Sequence, residues 1–209
     1  MKQPYKPTAR LTVAALTGVM FAAYAAYSVF ILIRDARHLS TTARVISAAV
    51  AIVFAVFALF AWTCNLKPET IHILIVRRIA FVAGLVIVFL LKLRMITKVS
   101  AYLDFSQFHT VLYACAYLLT QVAIALLLIY YAFILPKLAV YPKAAVQLPM
   151  IALILFLLSM ILEALLLFIY GIGTETSYLR SAVSRPLFFL GFIGLSAYFL
   201  LPPEPTPTA

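Results

Sequence analysis

Apolar residues follow one another along this chain in runs long enough to cross a lipid bilayer. Leu11–Ile33, Val45–Cys64, Val111–Leu135 and Met150–Tyr170 are 23, 20, 25 and 21 residues long. Two shorter runs, Ile79–Leu91 and Leu187–Leu201, sit between basic residues or prolines. A helix rises about 1.5 Å per residue and the hydrocarbon core is about 30 Å thick, so roughly 20 apolar residues make one crossing. The pattern predicts an all-α, polytopic transmembrane helix bundle of about six helices with no soluble domain. The spans fall near residues 11–33, 45–64, 75–96, 111–135, 148–170 and 184–201 within a single domain over 1–201. Residues 202–209, four of them proline, are predicted to form a disordered tail.

Polar punctuation sets the expected ends. Arg34-Asp35-Ala36-Arg37-His38 stops the first span, and Trp62 to Lys67-Pro68 closes the second, with the indole at headgroup level. Pro136-Lys137 ends the fourth; Pro142-Lys143 opens the fifth segment, with Pro149 kinking its first turn or setting its start. Gly171 and Gly173 end the fifth, and Arg185-Pro186 places a proline in the first turn of the sixth. The third span is short and has Arg77 and Arg78 before it and Lys92, Arg94 and Lys98 after it. Long basic side chains can snorkel, so it still serves as a span. Ala23-Tyr24-Ala25 resembles a signal-peptidase site, but the apolar run continues to Ile33 and reads as an uncleaved first helix. Each half of the chain has two long spans and a short third one, a pattern shared with inverted-repeat transporters.

Composition agrees: 66% of residues are hydrophobic, 11% are charged, and the mean hydropathy is +1.12. The net charge of +10 is spread through every loop. It points to lipid headgroups and topology rather than nucleic acid, with an anionic solute as the sharper alternative. The 16 Lys and Arg divide evenly between the two faces of a six-span protein, so the positive-inside rule ties. Lys2, Lys6 and Arg10, flanking the first helix, place both termini in the cytoplasm. Loops this short suit a bacterial inner membrane.

Few residues suggest chemistry. Glu163 is the one acid within a long apolar run; a carboxylate there must face the bundle and be protonated or paired. Ser159 and Tyr170 share its helix face. Tyr113, Tyr117, Thr120, Gln121 and Tyr131 form a polar stripe on the fourth span, predicted to face Glu163. On the first span, Ala14, Gly18, Ala22 and Ala26 make a small-residue packing face, echoed by Gly191 and Gly194 on the sixth. Cys64 and Cys115 read as small buried hydrophobes. His38, His72 and His109 share no depth, so no metal ligands and no cofactor are expected. The absence of nucleophile-elbow, zinc-protease or phosphate-loop motifs points away from an enzyme. Two functions fit: a subunit or accessory protein docking a partner, or a second copy of the chain, through helix one; or a small solute transporter built around Glu163.

Overall fold

The computed structural model describes residues 9–63, 71–100, 108–137, 140–170 and 175–201, with side chains except at 71–74, 95–100, 170 and 175–181. The helices are α1 (Ala9–Arg34), α2 (Thr41–Thr63), α3 (Ile71–Ser100), α4 (Phe108–Ile129), α5 (Pro142–Tyr170) and α6 (Glu175–Leu200). A π turn at Tyr130–Ile134 and a 3-10 turn at Leu135–Lys137 extend α4. Among the described residues five stretches are long and apolar enough to cross a bilayer: Ala9–Arg34, Thr41–Thr63, Phe108–Lys137, Pro142–Ile169 and Ala182–Leu200. α3, where a span was expected near 75–96, is not among them, because Arg77, Arg78, Lys92 and Arg94 crowd its short apolar run. Leu16, Ile33, Ile52, Phe133 and Phe168 are among the large apolar side chains turned outward, a surface suited to lipid and not to water. The chain is a multi-pass, all-α membrane protein.

Each helix packs on the next, and α6 returns to α1, so the six form a closed ring. Short connections make neighbours antiparallel. The starts of α1, α3 and α5 share one end, here the near end, and their C-termini share the far end. Rings from every helix fill the middle. Phe21 of α1 lies 5.7, 5.4 and 5.3 Å from Phe54, Phe57 and Phe192. Phe57 meets Phe81 of α3 at 5.2 Å, Phe81 meets Tyr131 at 4.5 Å, and Phe156 of α5 stacks on Phe192 at 5.2 Å. Lipid tails are as apolar as these rings, so hydrophobicity alone does not draw the helices together. Tilted and edge-on ring contacts supply dispersion and quadrupole attraction instead.

Small residues allow the close approaches. Ala14 and Gly18 are buried, and a side chain at Gly18 would occupy the place of the Trp62 indole. That indole donates to the Ala15 carbonyl at 3.3 Å. Gly191 and Gly194 in turn admit Phe21 and Thr17 of α1. Ala22 is half-buried and Ala26 is exposed, because a four-residue step advances about 400° and turns the stripe about 40° each time.

Several boundaries and placements differ from expectation. Ser40 accepts from the Ala43 N–H at 3.3 Å, and α2 begins at Thr41. Pro142 takes the first turn of α5, leaving Pro149 buried inside the helix. α6 begins at Glu175, so Pro186 is interior and not in the first turn. In lipid an interrupted backbone has no water to satisfy it, which favours helix continuing through proline. Cys115 faces outward; a thiol is apolar enough to meet lipid tails. Cys64 and residues 202–209 lie outside the described residues.

The near end is held by basic side chains. Arg77 donates to the Thr63 carbonyl, capping the C-terminus of α2. Pro136 has no N–H to offer the Ala132 carbonyl four residues before it, and Arg78 donates there instead at 3.2 Å. Arg10 lies 4.5 Å above the Tyr198 ring.

Gly18→Leu should expel Trp62 and destabilise the protein by about 1–3 kcal/mol through overpacking. Trp62 is the sole tryptophan, so its emission spectrum and the thermal midpoint in detergent both read the change. Adding Trp62→Ala should recover much of the lost thermal stability.

Candidate functional site

Towards the far end the aromatic filling stops and a cavity of about 300 Å³ opens inside the ring. Tyr24 of α1, Ile46, Val50 and Phe54 of α2, and Phe188 of α6 line it. α3 contributes Val88, Leu91, Lys92 and Arg94, and α4 contributes Tyr117. Phe54 and Phe188 belong both to its wall and to the aromatic column, and Phe188 lies 4.9 Å from Phe192. The column therefore continues the cavity floor. Arg94 is exposed and stands at the rim.

Helix lengths explain why the charges meet here. Lys92 is eight residues before the end of α3, Glu163 seven before the end of α5, and Arg185 ten after the start of α6. At 1.5 Å per residue these are depths of about 10–15 Å from the same end. Glu163 pairs with Arg185, Oε2 to Nε, at 3.2 Å. The glutamate side chain is only 5% exposed and the arginine 26%. Glu163 is also within electrostatic reach of Tyr24, Lys92 and Tyr117. The Lys92 ammonium sits over two ring faces, 4.4 Å from the Phe188 centroid and 5.1 Å from that of Tyr117. Among the described residues no carboxylate lies within ion-pair distance of it.

The polar stripe of α4 divides between two neighbours. Thr120 and Ser159 of α5 are 2.6 Å apart, and both reach the Ala116 carbonyl, at 2.9 and 2.7 Å. Two hydroxyl protons thus serve three oxygens, stitching α4 to α5 one turn from Glu163. Gln121 turns to α3 and donates to the Phe89 carbonyl at 2.8 Å. Consecutive residues are about 100° apart on a helix, so Thr120 and Gln121 cannot face the same neighbour. Tyr113 lies against Tyr117 at 4.7 Å, and Tyr131 is in the aromatic column, 5.4 Å from Phe60. The Tyr170 side chain lies outside the described residues.

Arg185 and Lys92 are the site residues that sequence reasoning missed. A proline in a first turn puts Arg185 at a helix mouth, whereas Arg185 lies nearly three turns inside α6. A basic residue beyond a short apolar run points Lys92 to the headgroups. The signal for both was depth: a single intramembrane acid needs a base at its own level, and these two lie there.

No protein-family model matches the chain, and no curated protein or solved structure matches it either.

Arg185→Ala should leave a buried carboxylate without its partner and cost on the order of 3 kcal/mol. Glu163→Gln should cost less, because Arg185 is partly exposed and can turn towards headgroups. The double replacement Glu163→Gln/Arg185→Gln should recover most of the loss. Thermal unfolding of the three purified variants checks the order.

Proposed function

We propose that this chain is a small solute transporter that takes an anionic solute into the central cavity from the far face of the membrane. The observation that supports this reading most is a cavity with cations in its wall and a continuous aromatic column beneath it. With the exposed Arg94 at one end of the lining and packed rings at the other, we read that arrangement as half of an access path. Glu163 answers Arg185, which leaves Lys92 in the wall of the cavity to attract negative charge. In a low-dielectric surround such a field is focused and raises the local anion concentration.

The accessory-subunit reading drew on a small-residue groove along α1. Within the chain that groove receives Trp62, and α6 glycines receive Phe21 and Thr17, so its main support falls away. We place the protein in a bacterial inner membrane with both termini cytoplasmic, on the basic flank Lys2, Lys6 and Arg10. The cavity then opens to the outside.

Cysteine accessibility tests the reading, in a Cys64→Ser/Cys115→Ser background reconstituted into sealed vesicles. Val50→Cys should react from the far face, at least about tenfold faster with a sulfonate-bearing methanethiosulfonate than with its trimethylammonium counterpart. Leu195→Cys, at a position of α6 buried in the core towards the near end, should be silent from that face and react slowly from the near one as access alternates. Equal rates with the two reagents at Val50→Cys would overturn the anion preference. No reaction at Leu195→Cys from the near face would overturn transport.

A further inference from the structure

We propose that the cavity's ligand is an amphipathic monoanion, with its charged head at Lys92 and a short apolar body against Ile46, Val50, Phe54 and Val88. The inference rests on the reading of the cavity as an anion site and adds the chemical class of what enters it. Four observations support it.

The first is how the wall is divided. Lys92, Arg94 and the two tyrosines supply the polar part, while the remaining lining side chains are aliphatic or phenyl. A small inorganic anion would give up its hydration against that apolar wall without recompense. A neutral apolar molecule would leave the ammonium unanswered. A ligand with both parts satisfies both.

The second is the condition of Lys92. An ammonium carries three donors and no acceptor, and its described neighbours are ring faces, with no hydrogen-bond acceptor or ion-pair partner among them. The rings hold the stem and one side of the head, so an incoming oxyanion meets a cation already in position. The third is charge balance. Glu163 and Arg185 neutralise each other, which leaves Lys92 as the unpaired ammonium among the described residues that line the cavity, and one ammonium matches a single negative charge. The fourth is room. A volume of about 300 Å³ holds on the order of ten water-sized groups at about 30 Å³ each. A two-chain phospholipid does not fit; a medium-chain carboxylate does.

Equilibrium binding of radiolabelled octanoate to the full chain in phosphatidylcholine nanodiscs tests this, with empty discs subtracted. Saturable binding is expected, displaced by octanoate and about tenfold or more less effectively by acetate, which has the charge without the body. Octanol, which has the body without the charge, should not displace it. Lys92→Gln should weaken binding about tenfold, whereas Lys92→Arg should retain it within about threefold. Oleate, too long for the cavity, should compete less well than octanoate. Displacement by octanol as effective as by octanoate would overturn the proposal, as would an unchanged affinity in Lys92→Gln. Stronger competition by oleate would assign the site to a long chain drawn from the membrane and overturn the short-bodied ligand. If acetate equals octanoate, or octanoate does not bind while the sulfonate preference at Val50→Cys persists, the ligand class falls and the anion site stands. If that preference is absent as well, both readings fall.

Discussion

A carboxylate within a bilayer must find a cation or a proton, and in this protein Glu163 finds Arg185. Around that pair the far half of the ring is organised. It ties α5 to α6 well inside both helices. It also satisfies both charges with each other, so that Lys92 is left over two ring faces and beside a cavity. One turn below, Ser159 and Thr120 share the Ala116 carbonyl, so α4 and α5 are joined by polar contacts on the same face that presents Glu163.

The near half is built differently. There the centre is filled by phenyl and phenol rings from all six helices, and the walls close by small residues that let a ring or an indole enter between helices. Basic side chains complete it, supplying donors to carbonyls that a helix end or a proline has left without one. Filling and vacancy therefore divide along the axis of one ring, and the function proposed for it follows from that division.

Much of this architecture is legible in the amino-acid order. The apolar runs mark the spans, Arg34 marks the end of the first helix, and the recurrence of Ala14 and Gly18 marks a surface that receives another helix. Boundaries at proline were legible only in part. Pro142 opens α5 as expected, whereas Pro149, read as a first-turn kink or a start, and Pro186, read as a start, lie inside their helices. Those rules were learned in water, where a broken backbone can bond to solvent. The site was legible only in part. Glu163 announces a need for a partner, but sequence distance hides that Arg185 and Lys92 reach its level. The α4 stripe looks like a single face when its spacings are read one at a time. The angle between Thr120 and Gln121 divides it between two neighbouring helices.

The closure of α6 onto α1 gives the chain a history as well as a shape. Synthesis delivers helices in order, so α1 must wait in the membrane, with its groove for α6 unfilled, until the last span arrives. Glu163 likewise enters the bilayer before Arg185 has been made. For that interval the carboxylate depends on a proton, on Lys92 of α3, or on the insertion machinery. The pairing of the buried charges therefore waits on the synthesis of α6.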